Sequence, residues 1–87
     1  MSQPKVEIYT KLYCGYCYRA KRLLESKGVE FEEYDITLGG PKRTEMLARK
    51  PDARTVPQIF LDDRAVGGSD ELARLEREGK LDSLLGL

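Results

Sequence analysis

The sequence predicts a small α/β fold in which a four-stranded mixed β-sheet has helices on both faces. The chain has 87 residues, enough for a single domain, residues 1–87, but not for two hydrophobic cores. Its β-prone and helical segments follow in the order strand, helix, strand, helix, strand, strand, helix. The first strand–helix–strand unit predicts a right-handed parallel crossover, and the last two strands predict an antiparallel hairpin.

The first half of the chain supplies the crossover unit. Residues 6–10 form a β-prone run, which predicts the first strand. From residue 14 to residue 27, apolar positions recur every three or four residues and Gly28 follows, so we expect a helix that ends there. Residues 29–36 predict a second strand. Its apolar alternation changes phase, which indicates a bulge or an edge position in the sheet.

The second half supplies a helix, a hairpin and a final helix. Pro41 favours the start of a second helix, which Lys50 and Pro51 end. Two short β-prone runs follow and are separated by a polar turn, which predicts a hairpin. Ser69 is expected to cap the third helix, and Gly79 marks its end. The two strands of the hairpin cover residues 58–61 and 65–67.

Composition and charge exclude several classes of function. Fifteen Lys and Arg residues balance fifteen Asp and Glu residues, and the pI is about 6.3, so nucleic acid and anionic membranes are not expected as partners. No apolar stretch resembles a signal peptide or a transmembrane segment, which favours a cytoplasmic protein. The chain has no histidine, so it lacks the commonest proton shuttle and the commonest metal ligand.

The two cysteines of the chain, Cys14 and Cys17, are the candidates for catalysis. Two cysteines without histidine cannot complete a four-ligand zinc site within one chain, and in a reducing compartment such a pair is more often catalytic or redox-sensing than structural. The pair opens a helix directly after a strand and a turn, and residues 11–27 carry a net charge of +4. Because helix N-termini and nearby cations favour the thiolate, we expect Cys14 to be largely ionised at neutral pH.

The spacing of the cysteines separates their roles. Cys17 follows Cys14 by one helical turn on the same face, close enough for a disulfide but further inside the helix. We therefore expect Cys14 to attack and Cys17 to resolve. The alternative is that both cysteines pack the core face of an amphipathic helix. The strand–turn–helix context and the positive flank favour the reactive pair.

Three separated blocks of the sequence resemble those of the glutaredoxins, a family of the thioredoxin-fold superfamily. They are residues 6–11 leading into Cys14-Gly15-Tyr16-Cys17, then Thr55-Val56-Pro57-Gln58-Ile59-Phe60, and finally Gly67-Gly68-Ser69-Asp70. Together they span nearly the whole chain. The resemblance implies a thioredoxin-like fold. It also implies a dithiol oxidoreductase that uses glutathione to reduce protein–glutathione mixed disulfides and protein disulfides.

The resemblance further implies which residues bind glutathione. Lys11 would pair with the glycine carboxylate, and the Tyr16 ring would pack against the tripeptide. The backbone of Val56, before an expected cis bond to Pro57, would pair with the cysteinyl backbone of glutathione. Amides at the start of the third helix would hold the glutamyl carboxylate, and Asp70 would hold its amine. The full set is Lys11, Tyr16, Thr55, Val56, Pro57, Gly68, Ser69 and Asp70.

Each of these residues also has an ordinary structural interpretation. Lys11 could be a solvated surface residue, and Tyr16 could be a partly buried core residue. Pro57 could simply start a strand. The residues from Gly68 to Asp70 could be a plain helix cap, which is compatible with binding.

Gly15 departs from the pattern of many dithiol glutaredoxins, which have proline after the first cysteine. The turn is therefore less constrained. Family members with such a turn can hold a [2Fe-2S] cluster between two subunits, so a cluster carrier or sensor with Cys14 and glutathione as ligands is one alternative function. A redoxin that depends on thioredoxin reductase is another. Otherwise we expect a monomer whose partners are glutathione and glutathionylated or disulfide-containing proteins.

Overall fold

The computed structural model describes residues 3–87. Met1 and Ser2, which the expected domain includes, lie outside the described residues. The elements in chain order are β1 (Val6–Thr10), α1 (Gly15–Ser26), β2 (Glu32–Asp35), α2 (Pro41–Arg49), β3 (Gln58–Leu61), β4 (Arg64–Gly67), α3 (Ser69–Arg77) and α4 (Leu81–Leu84).

The four strands form one mixed sheet in the order β2-β1-β3-β4, which confirms the predicted fold class. Strand β1 is parallel to β2 and antiparallel to β3, and β3 is antiparallel to β4. The C-terminal ends of β1, β2 and β4 and the N-terminal end of β3 therefore lie at the same end of the sheet. We call this the cysteine end of the sheet, because Cys14 follows β1 there.

Side-chain alternation along the strands builds a core on each face of the sheet. In β1, Ile8 packs with residues of α1, α3 and α4, whereas the neighbouring Tyr9 packs on the other face with Met46 of α2. In β3, Ile59 and Phe60 divide between the two faces in the same way. The prediction of helices on both faces is thus confirmed.

Strand β2 and helix α3 differ from the sequence expectation at their boundaries. Strand β2 is shorter than the predicted residues 29–36, because its register with β1 begins at Glu32 and ends at Asp35, and only the Ile36 N–H continues it by donating to the Thr10 carbonyl at 2.8 Å. Val29 and Ile36 pack into the cores on opposite faces of the sheet. It does occupy the expected edge position. Helix α3 begins at Ser69 and its N-cap is Gly68. The prediction of Ser69 as the cap is wrong.

Helix α4 was not predicted from the sequence, because four residues are too few to show a helical period. It buries Leu81 and Leu85 completely. Lys27, which ends α1, fixes its position: the Lys27 Nζ lies 2.8 Å from Glu76 Oε1 and 2.7 Å from Asp82 Oδ1. Because α1 has 12 residues and rises about 1.5 Å per residue, α4 lies at the end of α1 remote from Cys14.

The helices of the described part of the chain are short. None of those within residues 3–87 has the length and apolar character needed to cross a bilayer.

Candidate active site

Cys14 is the N-cap of α1, at the cysteine end of the sheet. Its backbone is extended (φ −108°, ψ 108°), and Tyr13 before it has a φ of 57°, which turns the chain from β1 into the helix. The Cys14 Sγ accepts a hydrogen bond from the Cys17 N–H at 3.1 Å. The sulfur therefore lies against the unpaired amides of the helix start, where a negative charge is stabilised.

Cys17 lies one turn inside α1 and is 2% exposed. Burial raises the pKa of the Cys17 thiol to about 12, and its hydrogen-bonding contact with Cys14 acts in the same direction. Hydrogen bonding to the Lys11 backbone and the charge of Lys21 oppose the shift without cancelling it. Cys17 is therefore a neutral thiol at physiological pH, as a residue that acts second would be.

This difference in burial predicts selective alkylation. At near-neutral pH we expect iodoacetamide to modify Cys14 and to leave Cys17 unmodified in the folded protein, because the thiolate is the reactive form and Cys17 is both protonated and buried. Mass spectrometry of proteolytic peptides measures the label at each position. In urea both cysteines should react. Equal labelling of the two residues in the folded protein would contradict the assignment.

A cleft of about 350 Å³ lies beside Cys14. The Cys14 Sγ is 3.8 Å from the carbonyl oxygen of Val56, and the Val56–Pro57 peptide bond is cis, as the resemblance implied. Seven of the eight residues expected to bind glutathione line the cleft, together with Glu71. Lys11 is the exception: it is exposed, directly after β1, and is not part of this lining. The seven are Tyr16, Thr55, Val56, Pro57, Gly68, Ser69 and Asp70.

Two glycines, one at the end of β4 and one at the N-cap of α3, shape the junction that forms the far wall of the cleft. Gly67 has a φ of +114°, and a Cβ atom there would lie 2.7 Å from Glu71 Oε1. The same Oε1 accepts the Gly68 N–H at 2.6 Å. A Cβ on Gly68 would be 3.2 Å from the carbonyl oxygen of Pro57. The positive φ of residue 67 and the Glu71 carboxylate thus require glycine at that position, and glycine at position 68 lets the junction approach the Pro57 loop closely.

Sequence reasoning missed two polar residues near the cleft. Glu71 could have been found, because a glutamate three residues after an N-cap is typical of a capping box. Arg54 lies in an adjoining cleft of about 310 Å³ that shares Thr55, Gly68 and Glu71 with the first. The position of Arg54 directly before Thr55 could have indicated that it lies near the cleft. Arg54 adds a cation to a site for which the sequence analysis named Lys11 alone.

The side chains that could act as metal ligands restrict metal binding by a single chain. Within residues 3–87, no group of three or more His, Cys, Asp or Glu side chains is placed to hold a metal ion. Cys14 is partly exposed, whereas Cys17 is buried. A cluster at this site would therefore need ligands from outside the chain.

Known proteins are similar to this chain in sequence and in fold. A sequence model of the Glutaredoxin family matches residues 6–66. Glutaredoxin 3 of Escherichia coli (strain K12) is 54% identical over 80 residues, which cover 92% of this chain and 95% of that protein. The solution structure of glutaredoxin from Brucella melitensis has a TM-score of 0.81 and 50% identity, covering 98% of this chain and 91% of that one. The crystal structure of a buckwheat glutaredoxin–glutathione complex has a TM-score of 0.79 and 28% identity, covering 95% and 77%.

Proposed function

Because the chain belongs to the glutaredoxin family of thiol-disulfide oxidoreductases, we propose that it reduces protein–glutathione mixed disulfides with glutathione as the reductant. The observation that carries this proposal is the position of the Cys14 Sγ, 3.8 Å from the carbonyl oxygen of Val56, beside a cleft of about 350 Å³. A cleft of this size suits a tripeptide. The buckwheat glutaredoxin of similar fold forms a complex with glutathione, which supports the proposal.

The reaction consists of two thiol–disulfide exchanges at Cys14. The Cys14 thiolate attacks the glutathione sulfur of the mixed disulfide, and the protein sulfur leaves as a thiolate that takes a proton from water. A second glutathione thiolate then attacks the glutathione sulfur bound to Cys14. This step forms oxidised glutathione and releases the Cys14 thiolate. The Cys17 N–H, 3.1 Å from the Cys14 Sγ, stabilises the anion both before the attack and after its release.

Protein disulfides require the second cysteine. Cys14 attacks one sulfur of the substrate, and Cys17 then attacks Cys14 and expels the reduced substrate. Since the pKa of Cys17 is raised to about 12, Cys17 loses its proton as it attacks, and the departing substrate thiolate is a suitable acceptor. Two glutathione molecules reduce the resulting Cys14–Cys17 disulfide and become one molecule of oxidised glutathione.

The lining of the cleft offers a group for each part of glutathione. The backbone of Val56 is next to the reactive sulfur and can pair with the cysteinyl backbone. Free amides at the start of α3 can hold the glutamyl carboxylate, and Asp70 can hold its ammonium group. The glycine carboxylate would face Arg54 of the adjoining cleft, because Lys11, to which the resemblance assigns this carboxylate, is not part of the lining.

Asp70 provides a test of this binding mode. We expect Asp70→Ala to raise the KM for glutathione about 5- to 10-fold with kcat little changed, because a charge-assisted hydrogen bond to the glutamyl ammonium is lost. Glu30→Ala is the matched control, since Glu30 is an exposed acid before β2, at the end of the sheet opposite Cys14. Initial rates at varied glutathione concentration measure both constants. An equal rise in KM for the two variants would contradict the role of Asp70.

The choice of reductant tests the function itself. We expect a glutathionylated peptide to be turned over with glutathione and glutathione reductase, and not with thioredoxin reductase and NADPH alone. The reverse result would establish the thioredoxin-reductase-dependent alternative. Visible absorption after anaerobic purification tests for a bound [2Fe-2S] cluster. A coloured dimer without glutathione-dependent turnover would overturn the proposal in favour of a cluster carrier.

A further inference from the structure

Three large apolar side chains project into solvent beside Cys14. Leu12 is 59% exposed, Tyr13 is 104% exposed and Leu38 is 98% exposed. Leu12 and Tyr13 form the turn before Cys14. The Leu12 N–H donates to Thr37 Oγ1 at 2.8 Å. Leu38 directly follows Thr37, so the Cα atoms of these two residues are about 3.8 Å apart. The hydrogen bond from Leu12 to Thr37 joins the two loops that carry the three exposed side chains, and we call these side chains the apolar ridge.

The sheet order places the apolar ridge and the cleft on opposite sides of Cys14. Strand β2, whose end leads to Leu38, pairs with one side of β1. Strands β3 and β4, which supply the Pro57 loop and the Gly68 junction of the cleft, pair on the other side. Since Cys14 follows β1, its sulfur lies between the cleft and the ridge.

The backbone under the apolar ridge is fixed by hydrogen bonds. The Thr37 N–H and the Thr37 hydroxyl both donate to Asp35 Oδ1, at 2.8 and 2.6 Å, and these bonds lower the pKa of Asp35. The Gly39 N–H donates to the Ile36 carbonyl at 2.9 Å and closes the turn that carries Leu38. The exposed side chains are thus presented from an ordered backbone, which reduces the entropy lost when a partner binds.

We propose that the apolar ridge binds the protein part of a glutathionylated substrate, through apolar side chains next to the modified cysteine. This inference rests on the proposed function: when glutathione fills the cleft, the side of Cys14 left open is the β2 side, where the ridge lies. Exposed apolar groups clustered at a reactive centre are typical of contact sites. Lys11 adjoins the ridge and has no ion-pair partner within residues 3–87. The preferred segment therefore also carries an acidic residue.

The test compares three disulfides of glutathione. One is a glutathionylated peptide with Leu, Phe and Asp around the cysteine, one is the same peptide with Gly and Ser instead, and the third is the mixed disulfide with β-mercaptoethanol. We expect kcat/KM of the unmodified protein to be about 10-fold higher for the apolar acidic peptide than for the Gly–Ser peptide, which corresponds to about 1.4 kcal/mol.

The variants remove the apolar ridge without touching the cleft. The triple variant carries Leu12→Ser, Tyr13→Asn and Leu38→Ser, with asparagine chosen because it tolerates the positive φ at residue 13. We expect it to lose the peptide preference and to keep its rate on the β-mercaptoethanol disulfide. Leu38→Ser alone should lose part of the preference, which keeps the test valid if the triple variant misfolds. Leu87→Ser, an exposed leucine beyond α4, is the matched control.

The outcomes separate this inference from the proposed function. A protein that does not reduce the β-mercaptoethanol disulfide with glutathione would contradict the proposed function. A protein that reduces it but shows no peptide preference, or whose preference survives in the triple variant, would overturn the role of the apolar ridge alone. A concentration-dependent dimer that the triple variant loses while the peptide preference stays unchanged would show a second copy on the ridge, and would also overturn the inference.

Discussion

Replacement of Cys14 by serine is expected to reduce kcat/KM for a glutathionylated peptide by at least about 10³-fold. Serine has nearly the size of cysteine, but its hydroxyl is not ionised near neutral pH and cannot form a disulfide. The fold should be preserved, because Cys14 is only partly buried and serine is a favourable N-cap. Release of oxidised glutathione, coupled to glutathione reductase, measures the rate.

Cys17→Ser is the matched control for this prediction. We expect this variant to keep its rate on the glutathionylated peptide within a few-fold, because both exchanges of that reaction occur at Cys14. Reduction of a protein disulfide should be lost, because no second thiol then expels the substrate. Normal turnover by Cys14→Ser would contradict the assignment of the nucleophile. Equal loss of peptide reduction in both variants would contradict the separation of roles.

The features that the sequence predicted well are those set by neighbouring residues. The apolar period of α1, the β-prone run of β1 and the polar turn of the hairpin each act within a few residues, and all three elements are present. The cysteine spacing likewise predicted that Cys17 is less exposed than Cys14, because it lies one turn further inside the helix, and in the structure Cys17 is buried and Cys14 partly exposed.

The features that the sequence did not reveal depend on groups far apart in the chain. The link from Leu12 to Thr37, on which the position of Leu38 depends, joins a turn to the end of the neighbouring strand. The exposure of Lys11 outside the cleft depends in the same way on where the Pro57 loop lies. No local pattern predicts such pairs, since they are formed when the strands assemble.

A buried charged network on the α2 face of the sheet is a further example. Glu7 stands in β1, where its side chain is 8% exposed, and Arg49 at the end of α2 lies 2.9 Å from it. Arg49 also donates to the Tyr9 hydroxyl at 2.9 Å and lies 4.0 Å above the Phe60 ring. Tyr34 donates to the second oxygen of Glu7 at 2.9 Å. Arg49 thus provides the cation that compensates a carboxylate in the sheet.

The balance of these contacts determines the charge state of Glu7. Burial by itself raises its pKa, but the hydrogen bonds from Arg49 and Tyr34 and the charge of Arg49 outweigh burial, so the pKa of Glu7 is lowered. A lowered pKa in the folded state means that the interaction stabilises the protein above the unfolded pKa of about 4.3. This stabilisation is lost as the pH falls through the lowered pKa of the folded state.

We expect Arg49→Met to produce the largest loss of stability of the substitutions considered, about 3 kcal/mol at neutral pH. Within residues 3–87, Glu7 then stays buried with only the exposed Lys5 as a cation, its Nζ 3.9 Å away, and breaking a buried pair from one side costs about 3 to 5 kcal/mol. The lower figure applies because Arg49 is 17% exposed and borders a cleft open to solvent. For a chain of this length the midpoint of thermal unfolding should fall by about 15 °C, as circular dichroism can measure.

The pH dependence of this loss distinguishes an unpaired charge from lost packing. In the Arg49→Met variant, burial of Glu7 is no longer opposed by the guanidinium, so the pKa of Glu7 rises and its protonation favours the folded state. The difference in unfolding free energy between the two proteins should therefore be largest near neutrality and shrink below about pH 4. The double variant Glu7→Gln/Arg49→Met removes the charge altogether and should recover part of the loss at neutral pH. A loss of stability that is constant with pH, and that the double variant does not reduce, would show that Arg49 acts through its packing on Phe60 instead.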